Sequence, residues 1–410
     1  MADSSSNVNE IKCLLCGQVE KDFLGDHLLE VHGITSAEYV ASHPGASAVS
    51  DRLHARFAQE HPSPKRVHPP RPGDLKINFG GLMFPVYPDV PASACLPMPD
   101  HYRIPAHGDL HEDIEHAVIS LLQGRSLYIW GLPGSGKDAL FHAWSAMTRT
   151  PAVIRQAKPG TDIESWFFSR GFNETGTFWE EGAVLQALRD GFRTPLGDTV
   201  PYLLLVSDFD RADREQAEHL RLITDSIQGR VDGPAGITYR VLPGTRVVAT
   251  ANTAGSGDDR GRMISANPID ASLLDRFERK FQFHWMDWED EEPIVRSKFP
   301  LLVQRCPDIF AKAGKVTAAL RKAILGGELY AEFSHRGVCA ILGHSQDILS
   351  SRPGARVPAN LLKMGVRAWL DGLPDVENRE AATKIMSAHV SMLAEGDTSH
   401  IKDGPVVKGF

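Results

Sequence analysis

The stretch GLPGSGKDAL, residues 131–140, constrains the fold more than any other part of the chain. It follows a short apolar run, SLYIW, and opens a segment over 137–148 with helical apolar spacing. Strand, glycine-rich turn and helix in that order leave backbone N–H groups unpaired at a helix N-terminus, where the helix dipole adds positive potential. Phosphate binds in such a place. Gly131, Gly136 and Lys137 meet the pattern G-x-x-x-x-G-K-[ST], which implies ATP with Mg²⁺. Gly134, Ser135 and Gly136 form the predicted cradle, Lys137 reaches the β and γ phosphates, and Pro133 and Ala139 complete the contacting set. A glycine-rich turn with a surface lysine is the bland alternative, and it explains neither the strand before nor the helix after. One position departs from the pattern. Residue 138 should offer Mg²⁺ a hydroxyl, and Asp138 offers a carboxylate.

A second departure lies farther along. A triphosphatase needs an apolar strand ending in Asp-Glu, the Asp to hold Mg²⁺ and the Glu to orient water. Here the strand in PYLLLVSDFD (201–210) ends in Ser207 and Asp208, then Phe209 and Asp210. Serine stands where Asp is expected, and Asp138 stands where Ser or Thr is expected. The two positions face each other across the metal in this class of fold. The pair has exchanged residue types, so one hydroxyl and one carboxylate remain for Mg²⁺. Asp208 or Asp210 then takes the water-orienting role.

A chain of 410 residues exceeds one compact core. Helix 109–123, the strands SLYIW, LLLV and TRVVATAN, and the helices between them alternate as in a parallel sheet covered on both faces. Segment 165–181 reads as a hairpin around Asn-Glu-Thr-Gly, and a second hairpin is expected at Asp232, Gly233 and Gly236. From about 290 to 394 the periodicity is helical. The expected divisions are a zinc finger over 1–45, a Pro-rich spacer over 46–73, an α/β core over 74–288, a helical lid over 289–395 and a frayed tail over 396–410.

Downstream motifs narrow the class. The run VVATANTAGSGDDRG ends a strand in Asn252, LLDRFERKF (273–281) carries Arg276 and Arg279, and SHR occupies 334–336. Together they resemble AAA+ ATPases, and ATANTAGSGD, LLDRFE and SHR are most similar to the MoxR branch. The resemblance implies that Asn252 is the sensor-1 residue holding the attacking water. It makes Arg276 an arginine finger presented to a neighbouring subunit, with Arg279 as the fallback, and Arg336 the sensor-2 residue reaching the γ phosphate. Within that branch the chain resembles the ATPase subunit of the cobalt-inserting chelatase, also through VYPDVP, DHYRIP and Asp210. The similarity spans roughly 84–370. It implies a homo-oligomer, a hexameric ring, and a protein partner bearing a von Willebrand A domain.

The N-terminal segment carries different chemistry. Cys13, Cys16, His27 and His32 follow the spacing C-x2-C, ten residues, H-x4-H, which suits one tetrahedral Zn²⁺. With GITSAEYVASHPG after the last ligand, the segment resembles the zinc fingers of MucR/Ros-type regulators. Its helix over 22–32 carries Asp22, Asp26 and Glu30 and no Lys or Arg, so it repels phosphate. The expected partner is a protein, not DNA.

Net charge is −8, which gives no general attraction to nucleic acid or anionic membranes. The polar start MADSSSNVNE, the lack of a 20-residue apolar run and five scattered cysteines predict a cytoplasmic protein without a disulfide framework. The leading function is a ring ATPase that remodels or activates a protein recruited by the finger. A chelatase subunit is the narrower version; a non-hydrolysing ATP-binding scaffold and a DNA-acting motor are the rivals.

Overall fold

The structure is a computed structural model that describes residues 10–21, 24–43, 46–48, 50, 76–173, 176–225, 229–257, 266–373 and 375–394. The Pro-rich stretch 61–73 and the tail after 394 lie outside the described residues, as do the acidic and arginine-bearing residues 258–260. The chain divides into two compact units, Met1–His68 and Pro69–Phe410.

In the first unit, β1 (Glu10–Lys12) and β2 (Val19–Lys21) pair antiparallel, followed by α1 (Gly25–His32) and α2 (Ser36–Ser42). The segment GITSAEY has a local physical reason. Gly33 ends α1 in the left-handed region (φ 67°), where a Cβ is strained. Thr35 and Glu38 then form a reciprocal capping box that starts α2. Tyr39 is fully buried beside Leu24 and Leu28, and its hydroxyl accepts the Leu14 N–H at 2.9 Å. Expected residues Asp22 and Phe23 fall outside the described part, and the helix begins at Gly25.

The second unit opens with a hairpin, β3 (Lys76–Phe79) and β4 (Leu82–Pro85), and with α3 (Gly108–Leu122). Then come β5 (Leu127–Trp130), α4 (Lys137–Thr148) and β6 (Ala152–Gln156). The predicted hairpin is β7 (Phe168–Asn173) with β8 (Gly176–Glu181), although Trp166 belongs to a 3₁₀ turn before it. After α5 (Ala183–Asp190), two short strands, β9 (Phe192–Arg193) and β10 (Thr199–Val200), lead to β11 (Leu203–Ser207) and α6 (Arg214–Ala217). The second predicted hairpin is β12 (Arg230–Asp232) with β13 (Thr238–Arg240). β14 (Arg246–Ala251), α7 (Ala271–Arg276) and β15 (Arg279–Gln282) complete the core.

Five of these strands form one parallel sheet in the order β15-β5-β14-β11-β6. Successive side chains leave a strand on opposite faces. Leu127, Ile129, Leu203, Leu205 and Val248 pack with α3 and α4, including Leu121, Phe141 and Trp144. Tyr128, Leu204, Val206, Val247 and Ala249 pack on the other face with Val184, Leu188 and Phe277. Burial on both faces explains the near-continuous apolar strands.

The remainder is helical: α8 (Trp288–Lys298), α9 (Pro300–Arg305), α10 (Ile309–Gly326), α11 (His335–Ser350), α12 (Leu361–Leu370) and α13 (Val376–Ala394). These helices share their own core around Phe310, Leu320, Ile341 and Leu362. Among the described residues, no helix is long and apolar enough to cross a membrane.

Candidate nucleotide site

All parallel strands of the sheet point their C-terminal ends one way, and the turn 131–136 sits there between β5 and α4. Gly131, Gly134 and Gly136 have φ of 156°, 74° and 83°. A Cβ on Gly131 would fall 2.1 Å from the Phe283 carbonyl oxygen, and one on Gly134 would fall 2.3 Å from Ser334 Cβ. At Gly131 and Gly134 a side chain is excluded by sterics as well as by dihedral angle. Gly136 caps α4 directly and has open space around its Cα. A larger residue there would be strained by conformation alone.

Lys137 is the first residue of α4 and is only 8% exposed. Its Nζ donates to Gly131 O at 2.7 Å, Leu132 O at 3.2 Å and Asn252 Oδ1 at 3.2 Å. Burial pushes its pKa down to about 8, against the opposing pull of Asp138, Asp210 and Asp208. Asn252, just past β14, donates in turn from Nδ2 to Asp208 Oδ1 at 3.4 Å. Asp208 Oδ2 accepts from Gln156 Nε2, at the end of β6, at 2.8 Å. Asp208 itself is held in the left-handed region (φ 53°), a conformation that costs a non-glycine residue about 1–2 kcal/mol.

Asp210 is fully buried. Its Oδ2 accepts from Asn252 N at 3.0 Å, Thr253 N at 2.9 Å and Thr253 Oγ1 at 3.0 Å. Burial raises its pKa despite those bonds. Asp210 therefore buttresses the turn that carries Asn252. Of the two acids, Asp208 is the partly exposed one.

The exchanged positions both border on Thr250. Asp138 Oδ1 accepts from Thr250 Oγ1 at 2.6 Å. Val206 pairs with Ala249 in the parallel register, so Ser207 and Thr250 come next on adjacent strands. Ser207 is 5% exposed, and its Oγ has no hydrogen-bond partner in the protein. Ser135 Oγ in the turn is buried and unpartnered as well. Buried hydroxyls seldom stay unpaired. Two such groups beside the glycine-rich turn, a buried lysine and a carboxylate fit a triphosphate with its divalent cation.

The helical region after β15 touches the same turn. Ser334 caps α11, its Oγ accepting the Arg336 N–H at 3.2 Å, and Ser334 is the residue against Gly134. Arg336 is exposed. Arg276 is placed elsewhere: its carbonyl accepts from Ser126 Oγ at 3.4 Å, and its guanidinium pairs with Asp225. Ser126 precedes β5 and Gly131 follows it, a separation of roughly 15 Å along the strand. Arg276 thus lies at the end of the sheet away from its own chain's turn, while Arg279 is exposed on β15. Pro133 offers its carbonyl to the Trp285 indole at 3.0 Å, and Ala139 is half-buried in α4.

The sequence patterns did not single out Thr250, Gln156, Trp285, Glu291 or Arg321. Arg321 alone carries a legible signal. It occupies a place on the stripe Phe310, Ala313, Thr317, Leu320 and Ile324, where an apolar residue is expected.

In the first unit, the ligand atoms of Cys13, Cys16, His27 and His32 lie within 4.8 Å of one another. Cys13 Sγ is 3.6 Å from His32 Nε2, and Cys16 Sγ is 3.2 Å from His27 Nε2. Bonds of about 2.3 Å to sulfur and 2.0–2.1 Å to nitrogen give a tetrahedron with edges of about 3.3–3.8 Å; the two Cys–His separations lie close to that range, and the donor types suit Zn²⁺. Glu20 lies 3.7 Å from His27 Nδ1, on the ring nitrogen facing away from that set. Asp26 and Glu30 are exposed on α1.

Residues 126–277 match the model of the AAA domain of the dynein-related subfamily. No curated protein matches by sequence. Among solved structures, the chain is similar to a candidate ATPase from Cytophaga hutchinsonii, with 16% identity and a TM-score of 0.31. That similarity covers 52% of this chain and 61% of that one. The five-stranded parallel sheet and its flanking helices agree with that match over residues 126–277, and a helical region follows.

Proposed function

We propose that the protein is a MoxR-like ATPase that binds ATP and Mg²⁺ at residues 131–139 and hydrolyses ATP between the subunits of a ring, a hexamer by resemblance. The observation that carries this reading is the cluster of Asp138, Thr250 and the unpaired Ser207 hydroxyl beside the turn. In it the backbone N–H groups of Gly134, Ser135 and Gly136 hold the phosphates. Lys137 exchanges its carbonyl partners for phosphate oxygens. Asp138 and Ser207 would hold the cation, which would supply charge neutralisation and polarise the γ phosphate. Asn252 and Asp208 orient the water, Arg336 approaches from the lid and Arg276 acts on the neighbour's nucleotide. The placement of Arg276 at the far end of the sheet supports a shared site.

The cycle remodels or activates a protein partner in the cytoplasm. The finger, loaded with Zn²⁺ on Cys13, Cys16, His27 and His32, docks that partner through an acidic surface unsuited to DNA. A partner with a von Willebrand A domain, or a chelatase assembly in the narrower version, fits the resemblance. A non-hydrolysing scaffold is the second reading, favoured by the carboxylate at position 138. Phosphate release from wild type, lost in Lys137→Ala, supports hydrolysis; ATP binding without release supports the scaffold.

A further inference from the structure

The turn and the lid are joined by side chains that no motif marks. Trp285 donates its indole N–H to the Pro133 carbonyl, inside the turn, at 3.0 Å. The Arg321 guanidinium lies 5.4 Å from the centre of the Trp285 ring, within cation–π range. Arg321 then fans out. Nη1 donates to Met286 O at 2.9 Å and Glu291 Oε2 at 2.7 Å, Nη2 to Glu291 Oε1 at 3.1 Å, and Nε to Phe333 O at 3.1 Å. Phe333 immediately precedes Ser334, the cap of α11 and the residue packed on Gly134. His335 adds a 2.9 Å bond to Glu291.

Glu291 is 1% exposed and Arg321 is 8% exposed. A buried ion pair contributes little net stability over a well-packed apolar pair, so its value here is geometric. It fixes the Phe333 carbonyl, and with it the first turn of α11, relative to Trp285. Any movement of the Pro133 peptide on phosphate entry must break the indole bond or carry Trp285 along. Arg336 stands two residues beyond the cap at the end of this path.

We propose that Trp285 and Arg321 are positioning residues that couple the state of the phosphate-binding turn to the start of α11, and so set Arg336 for hydrolysis. The proposal rests on the ATPase reading above. Arg321 cannot be replaced by Lys on this account, because an ammonium pairs with Glu291 but does not reach Phe333 O with the same fork.

The test compares wild type, Trp285→Phe and Arg321→Lys in full-length protein. Measurements are ATP binding by equilibrium dialysis, steady-state turnover and tryptophan emission with and without MgATP. Both variants should bind ATP within about threefold of wild type and keep KM within about threefold, while kcat falls at least tenfold. That split separates positioning from loss of fold or of binding. Wild-type emission should change on ATP addition, and Trp285→Phe should lose most of that change although six tryptophans remain of the seven. Unaltered kcat in both variants, or the full emission change in Trp285→Phe, overturns the coupling. Should neither variant fold, amide exchange over 334–340 in wild type decides: ATP slows it if the coupling operates, and unchanged exchange overturns it. No turnover in wild type would contradict the ATPase reading alone, and the emission arm would still decide the coupling.

Discussion

Asp138 Oδ1 and Thr250 Oγ1 are 2.6 Å apart, so the carboxylate that stands where the sequence pattern expects a hydroxyl is itself held by a hydroxyl from the central strand. Thr250 is 1% exposed, whereas Asp138 is partly exposed, so the bond has a buried donor and a half-solvated acceptor. A hydrogen bond to a charged group contributes about 1.5–3 kcal/mol when buried, and partial exposure places this one at about 1–2 kcal/mol. Thr250→Val should therefore lower core stability by about 1–2 kcal/mol in urea titration, and Thr250→Ser should restore most of it. Equal stability of Val and wild type would show that the bond is not made in solution.

If the proposed site holds ATP, Lys137 should give the binding a pH dependence. Its pKa is pushed down to about 8 by burial in the nucleotide-free protein. Phosphate oxygens favour the charged ammonium, so the bound state has the higher pKa. Above pH 8 the free protein has lost a proton that the complex must recover. ATP affinity should be flat from pH 6.5 to 7.5 and fall by up to about tenfold per unit above pH 8. Lys137→Met should bind more weakly at pH 7 and show no such slope. A slope that persists in Lys137→Met would assign the titration to another group.

Arg276 is bound to Asp225 within its own chain, at the end of the sheet away from its own turn. Arg276→Ala should abolish turnover while ATP affinity stays within about twofold, and Lys137→Ala should weaken binding itself. Mixing the two inactive variants should restore part of the activity, because a ring can pair an intact turn with an intact finger. No rescue at any ratio, or a monomeric mass with ATP, contradicts a shared site.

The finger should hold one Zn²⁺ per chain. Chelation should unfold residues 10–40, a segment with a buried core of only a few side chains, and leave ATP affinity unchanged. Cys13→Ser should have the same effect as chelation. Elemental analysis without stoichiometric zinc would contradict the ligand set, and nanomolar duplex DNA binding at physiological salt would contradict protein docking.

Much of the core was legible because its signals are local. The glycine-rich turn, the apolar strands at 127–130, 203–207 and 246–251, and both hairpins follow from spacing and turn chemistry. The edge strands were not legible: Arg279–Gln282 is mostly exposed and reads RKFQ, without the apolar run of a buried strand. Ser207 and Asp138 could be named as partners from their positions, but Thr250 between them could not, since a threonine in a β-branched strand carries no mark. The pairing of Glu291 with Arg321 joins residues 30 apart on two helices, and no sequence spacing encodes that contact.

Asp138 and Ser207 reverse the residue types expected at their two positions. A carboxylate about 4–5 Å from a phosphate oxygen repels it by about 3–4 kcal/mol at an effective dielectric near 20, so Asp138 is tolerable only with a cation between them. ATP binding should accordingly depend steeply on Mg²⁺. The decisive measurement is phosphate release from wild type, Asp138→Ser, Ser207→Asp and the double exchange. Each single change should impair hydrolysis, one by removing the metal's carboxylate and the other by crowding two carboxylates. The double exchange should recover much of the rate, a non-additivity expected of residues that share one ligand. Silent wild type with Mg²⁺-indifferent binding, and activity that arises only after the double exchange, would contradict the account.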